Sequence, residues 1–91
     1  MKPGRKLVEL GAESCTDAEI LAMLIGSGCR GHSAEDIGRA LIERYGSLAG
    51  MMDRSLREMA DIKGMGVVNT LRVAAAYELT RRILYHLEHH T

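Results

Sequence analysis

Net charge is what this chain of 91 residues lacks: its 12 basic and 12 acidic side chains cancel. Non-specific nucleic-acid affinity comes mainly from counterions released by Lys and Arg. A strong, charge-driven binder is therefore excluded, and any DNA contact must be weak or run largely through backbone groups. Proline is nearly absent, Pro3 standing alone. β-Branched alternation is missing too, so no strand pattern competes with helix. Two cysteines, Cys15 and Cys29, are too few for a secreted disulfide scaffold of this size. No run of about 18 apolar residues is present to span a membrane. The basic amino end, Met1 to Lys6, is followed by no apolar signal core. The expectation is a cytoplasmic protein with no membrane partner. One domain is expected at this length. It would bury about 60–65% of its unfolded surface, enough for one core and hardly for a deep catalytic cleft as well.

What is present reads as helices separated by glycine loops. A short helix over Arg5–Leu10 stops at Gly11. Thr16-Asp17-Ala18-Glu19 fits a capping box, with Thr16 accepting a helix-start N–H and Glu19 reaching back. The helix it opens, through Ile25, is apolar on nearly all sides and should be the most buried. Ser33 is an N-cap for a helix whose Ile37, Leu41 and Tyr45 recur every four residues, joined by Ala34, Gly38 and Ile42. Gly46 closes it, and Ser47–Met52 reads as a short connector helix. Ser55-Leu56-Arg57-Glu58 is a further capping box, opening a helix with Leu56, Met59 and Ala60 inward. The last helix runs from Val67 to at least Tyr85, with Leu71, Ala75, Leu79 and Ile83 as its apolar stripe. The fold class expected is all-α, a bundle of five to six short helices. One domain would span 1–86, with a second hairpin unit over about 55–86. Residues 87–91 resemble a purification-tag remnant.

The feature that carries chemistry is Ile62-Lys63-Gly64-Met65-Gly66 between two helices. Glycines permit positive φ and close approach of another chain to the backbone. Met65 can tuck between the helices and pin the turn. The next helix begins with unpaired N–H groups and a partial positive charge. The N–H groups of Gly66, Val67 and Val68 can then converge on a phosphate oxygen. Lys63, Arg54, Arg57, Arg72 and the Asn69 amide are the side chains placed to help, with Lys63 foremost and Asp53, Glu58 and Asp61 opposing them. Such contacts position nucleic acid without reading its sequence. A purely structural turn is the alternative.

The first glycine loop is a degenerate second copy. Leu24-Ile25-Gly26-Ser27-Gly28 has the spacing of the hairpin, but Ser27 cannot supply the apolar pin. Gly26, Gly28, Arg30 and the Ser33 helix start form a second candidate anion site. Gly26-x-Gly28-x-x-Gly31 also matches the dinucleotide fingerprint, which requires a preceding strand where this chain has a helix. Cys29 and His32 form a C-x-x-H pair with Cys15 as a third ligand. Structural zinc takes four ligands, and reduced thiols acting as small apolar residues are the simpler reading. No metal, cofactor or catalytic residue is expected: Glu13, Asp17, Glu19 and the histidines make no acid–base or metal constellation.

The run from Gly11 to Gly28, then Gly31–Ile37, Tyr45-Gly46-Ser47-Leu48 and Ile62–Gly66, resembles the amino-terminal domain of the bacterial RadC-like family. The likeness extends from about Arg5 to Leu84 in the family's order. It implies a tandem helix-hairpin-helix, SAM-like architecture and a role related to DNA repair. It also implies a JAB/MPN-type metal-dependent carboxyl-terminal domain, whose His-x-His and downstream Asp have no counterpart here. Such motifs often carry Pro after the second Gly and Lys two residues later. Here Val67 keeps its N–H, and Asn69 removes a charge. The function expected is non-catalytic, sequence-independent DNA binding, with DNA and other protein domains as partners. A protein-interaction or dimerisation module of the same fold is the alternative, favoured by neutral charge and by Met51, Met52, Met59 and Met65.

Overall fold

The computed structural model describes residues 1–26 and 28–90; Ser27 of the first glycine loop and Thr91 of the tail lie outside them. Five α-helices follow one another: α1 (Pro3–Leu10), α2 (Asp17–Ile25), α3 (Ala34–Tyr45), α4 (Leu56–Ala60) and α5 (Gly66–His89). Single turns of 3-10 helix occupy Ala12–Ser14 and Ala49–Met51, the latter being all that forms of the expected connector helix. The fold is all-α, as the glycine-punctuated pattern implies. No helix among the described residues is long and apolar enough to cross a membrane.

Local hydrogen bonds set the helix starts. Thr16 accepts from the Glu19 N–H while the Glu19 carboxylate accepts from the Thr16 N–H, and Ser33 and Asp36 repeat the exchange at α3. At α4 only half of the expected box forms. Ser55 Oγ accepts from the Glu58 N–H, but the Glu58 carboxylate turns to Arg44 of α3, 3.1 Å away. Glycines at positions 11, 26 and 46 end the first three helices, each returning an N–H to a carbonyl of the last turn.

The core gathers Leu21 and Ile25 of α2, Ile37 and Leu41 of α3, Met51, Met59, Met65 and Val73. α2 and α3 cross at Gly38, where an added Cβ would lie 2.5 Å from the Ala18 carbonyl oxygen. α5 departs from expectation. Leu71, Leu79 and Ile83 are more than half exposed and Ala75 is exposed, whereas Thr70 and Val73 are buried and Tyr77 packs against the core. Thr70 tolerates burial because its hydroxyl donates to the Gly66 carbonyl at 2.6 Å, leaving no unpaired polar group. Tyr77 donates to the Leu48 carbonyl at 2.7 Å and ties α5 to the linker after α3. Leu56, also expected inward, is 49% exposed; in so short a helix Met59 does the burying. Residues 79–90 are all exposed, and the radius of gyration, 13.7 Å, exceeds the roughly 12 Å of a compact chain this long. The outer half of α5 therefore projects from the globule.

Carboxylates at these joints titrate low. The Thr16 backbone N–H and the Lys6 ammonium hold Glu19 below its ordinary value, and the Ser33 N–H does the same for Asp36. Arg81 and Arg82 pull Glu78 down to about 2. Depressed carboxyl pKa values mean that the stabilisation is complete above the unfolded value and is lost as pH falls through the folded one. The melting temperature is expected to drop between pH 4.5 and 2, the window between ordinary and folded Glu78. Glu19→Gln should melt lower at neutral pH and show a shallower acid decline. Superimposable pH profiles for the two proteins, followed by circular dichroism, would exclude the Glu19 contribution.

Candidate nucleic-acid interface

The segment between α4 and α5 closes on itself before α5 begins. The Met65 N–H donates to the Ile62 carbonyl at 2.9 Å, and Met65 is buried, its side chain in the core cluster. Gly64 and Gly66 flank it at φ +91° and +60°, left-handed values that L side chains rarely adopt. Gly64 is packed: a Cβ there would lie 2.7 Å from Ile37 Cδ1 and 3.5 Å from Cys29 Sγ. Gly66 is open, with nothing within 4 Å of its missing Cβ.

α5 then starts without a side-chain cap and without an acid in its first turn. Val67 and Val68 are 67% and 63% exposed. Among the described residues, no acceptor meets the N–H groups of Gly66, Val67 or Val68. These are the donors that a helix leaves unsatisfied at its start, at the positive end of its dipole. Asn69, expected to donate toward a ligand, gives one amide N–H to the Gly64 carbonyl at 3.3 Å. It thereby braces the turn, with its second N–H left over. Lys63 stands exposed in the turn.

The first glycine loop lies against this turn. Cys29 and His32 exchange both backbone hydrogen bonds, at 2.8 and 2.9 Å, so that Arg30 and Gly31 form a tight tip with Gly31 at φ +82°. Gly28 is closely packed, its missing Cβ falling 2.2 Å from the His32 carbonyl oxygen. Arg30 is exposed, and Ser33 caps α3. A cleft of about 490 Å³ opens beside the loop, lined by Lys2, Pro3, Gly26, Gly28 and Ser33, with Glu35 on its wall. Lys2 was not singled out from sequence, because its only signal is a basic amino end. Arg72, expected beside the hairpin, reaches across to the end of α2 and donates to the Ile25 carbonyl at 3.3 Å. The two glycine loops are thus neighbours in space. A preceding helix, α2, stands where the dinucleotide fingerprint would need a strand.

Half of the twelve cations are neutralised by ion pairs. Arg5, Lys6, Arg39, Arg44, Arg81 and Arg82 pair with carboxylates. Among the described residues, Lys2, Arg30, Arg54, Arg57, Lys63 and Arg72 join no ion pair; Arg30 and Lys63 lie in the two loops, Lys2 and Arg72 beside them, Arg54 donates to the Gly50 carbonyl and Arg57 is exposed on α4. Asp61 remains nearby in sequence as a counterweight. Cys15 Sγ faces the Pro3 carbonyl and Cys29 Sγ lies against the hairpin. No three His, Cys, Asp or Glu side chains among the described residues gather as metal ligands do.

A small helical module with paired glycine loops is the class that this architecture defines. The UPF0758 N-terminal family model matches residues 1–71, and the chain belongs to this RadC-like family. UPF0758 proteins of Paraburkholderia xenovorans, Neisseria meningitidis and Acinetobacter baumannii are 37%, 41% and 40% identical to it, over 90%, 91% and 93% of its length. The chain spans only 32–37% of those relatives. No solved structure matches it significantly.

Proposed function

We propose that this chain is a non-catalytic helix-hairpin-helix module that binds DNA through backbone phosphates, without reading sequence, in a DNA-repair-related protein. The observation that carries the reading is the exposed, acceptor-free N–H set of Gly66, Val67 and Val68 behind an open, left-handed Gly66. A phosphate oxygen placed there would meet unpaired backbone donors and the positive end of the α5 dipole. Lys63 supplies charge from the turn, and Arg30, Ser33 and Lys2 form a second, weaker contact in the adjoining loop. Arg30 and Lys63 join no ion pair and supply local positive charge at the two loops, with Glu35 and Asp61 nearby against them. The fold and its loops serve a longer protein, whose chemistry resides outside the third matched here.

Titration of a fluorescein-labelled duplex by anisotropy tests this directly. Binding is expected in the non-specific range, a Kd of about 10⁻⁴ to 10⁻⁶ M, and two or three phosphate contacts imply a loss of roughly 10- to 40-fold between 50 and 200 mM salt. No binding up to about millimolar protein, weaker than that range, defeats the proposal.

A second reading is favoured by the exposed stripe of α5, Leu71, Leu79 and Ile83 with Val67 and Val68. Unclustered apolar side chains are ordinary on surfaces, but a stripe along one helix marks a contact face. On that reading the module docks another protein, and its association should be insensitive to salt.

A further inference from the structure

We infer that Arg72 is a positioning residue that latches the two glycine loops into one binding surface; this rests on the phosphate-binding reading above. Arg72 sits less than two turns into α5, the helix that the hairpin opens. Its Nη1 donates to the carbonyl of Ile25, the last residue of α2, at 3.3 Å across 47 residues of chain. That carbonyl is among those a helix leaves without partners at its end, and it lies at the negative pole of α2. A guanidinium answers both conditions, with a directed N–H and a charge that burial of a neighbour does not remove. The same Nη1 lies 3.8 Å from where a Gly26 Cβ would be, so the point at which the first loop leaves α2 is held against α5.

The loop is held a second time farther along. Cys29 Sγ is 3.5 Å from the missing Cβ of Gly64, which lets the hairpin turn seat on the base of the Cys29–His32 tip. One of these ties is apolar contact and the other is a hydrogen bond. Among the described residues, the Arg72 bond is the only side-chain hydrogen bond joining α2 to α5. Arg30, at the tip, thus takes its position relative to Lys63 and the Gly66–Val68 donors partly through Arg72. Arg72 therefore acts on binding through Arg30, in addition to whatever its remaining guanidinium N–H groups contact.

The latch predicts a specific coupling. Arg30→Ala, Lys63→Ala and Arg72→Met are combined pairwise in the full 91-residue chain, and duplex affinity is read by anisotropy. Arg30→Ala should weaken binding several-fold in the natural background and have no effect beside Arg72→Met. Lys63→Ala should weaken binding by the same factor in both. Independent sites add, whereas coupled ones do not. An Arg30 penalty unchanged beside Arg72→Met overturns the latch and makes Arg72 a separate phosphate ligand.

Amide exchange without DNA supplies a second arm. The Gly26 and Cys29 amides, bonded to Ala22 and His32 carbonyls, should exchange roughly tenfold faster in Arg72→Met, the factor expected from losing one directed hydrogen bond. Unchanged exchange overturns the latch even if the natural protein fails to bind DNA. That failure by itself defeats only the functional reading. Arg72→Gln, whose amide stops two bonds short of the Ile25 carbonyl, replaces Arg72→Met if the latter does not fold, with the same outcomes.

Discussion

Replacing Gly66 by Asp is expected to remove most DNA affinity while leaving the fold intact. Gly66 has φ +60° and open space where a Cβ would stand. Asp tolerates the left-handed region better than most residues, so little strain is introduced. Its carboxylate would lie at the first position of α5, where negative charge is favoured by the helix dipole. That carboxylate would take the N–H donors proposed for phosphate and would repel phosphate itself. Charge-assisted hydrogen bonds contribute about 1.5–3 kcal/mol each, so loss of one or more predicts an affinity drop of roughly 10- to 100-fold. Gly46→Asp is the control. It adds the same charge at another open, positive-φ glycine, at the end of α3, and should change affinity little. Equal losses in the two variants would trace the effect to net charge and remove the hairpin from the interface.

Gly38→Val is expected to be the most destabilising single substitution considered. The missing Cβ of Gly38 would be 2.5 Å from the Ala18 carbonyl oxygen and 3.2 Å from its carbon, both backbone atoms of α2. Backbone cannot swing aside as a side chain can, so α2 and α3 must separate and loosen Leu21, Ile25, Ile37 and Leu41 at the centre of the core. Overpacking typically costs about 1–3 kcal/mol, and a branched side chain at a backbone contact should reach at least the upper figure. For a domain this size a loss of about 3 kcal/mol lowers the melting temperature by roughly 12–24 °C. Gly4 provides the opposite case. It lies within α1 with nothing within 4 Å of a Cβ, so Gly4→Ala should raise stability by up to about 1 kcal/mol through helix propensity. A melting temperature for Gly38→Val at or above that of the natural protein would contradict the α2–α3 crossing at Gly38, and one for Gly4→Ala below it would contradict the open setting of Gly4.

Each glycine precedes an arginine in the sequence, Gly4 just before the first expected helix and Gly38 on the apolar stripe of α3, and neither position alone reveals a backbone contact. Only the neighbour across the interface separates them. The same limit explains α5. Leu71, Ala75, Leu79 and Ile83 recur every four residues, and a stripe of that kind is read as inward because an apolar face usually finds a partner. In the fold, closure of the Gly64–Gly66 turn and burial of Met65 set the rotation of α5, and Thr70, Val73 and Tyr77 meet the core instead. Thr70 escaped notice because its hydroxyl counts as polar until the bond to the Gly66 carbonyl is seen. Asn69 and Arg72 stand close to the hairpin in sequence, but their partners in the fold, the Gly64 and Ile25 carbonyls, have no signal there.

Sequence by itself determined the all-helical class, the caps at Thr16 and Ser33, the glycine stops of α1 to α3, the inward stripe of α3 and the glycine–methionine–glycine turn before α5. Each depends on hydrogen bonds or backbone angles spanning three to five residues, so the residues that decide it lie within one short window. Tertiary structure alone decided which face of α5 is covered, that Gly38 is a crossing point, that Glu58 turns from its own helix cap to Arg44, and that Gly64 and Arg72 bring the two loops together. Those outcomes depend on contacts between segments far apart in the chain. Local periodicity holds no record of which partner surface arrives, or at what rotation, once the core closes.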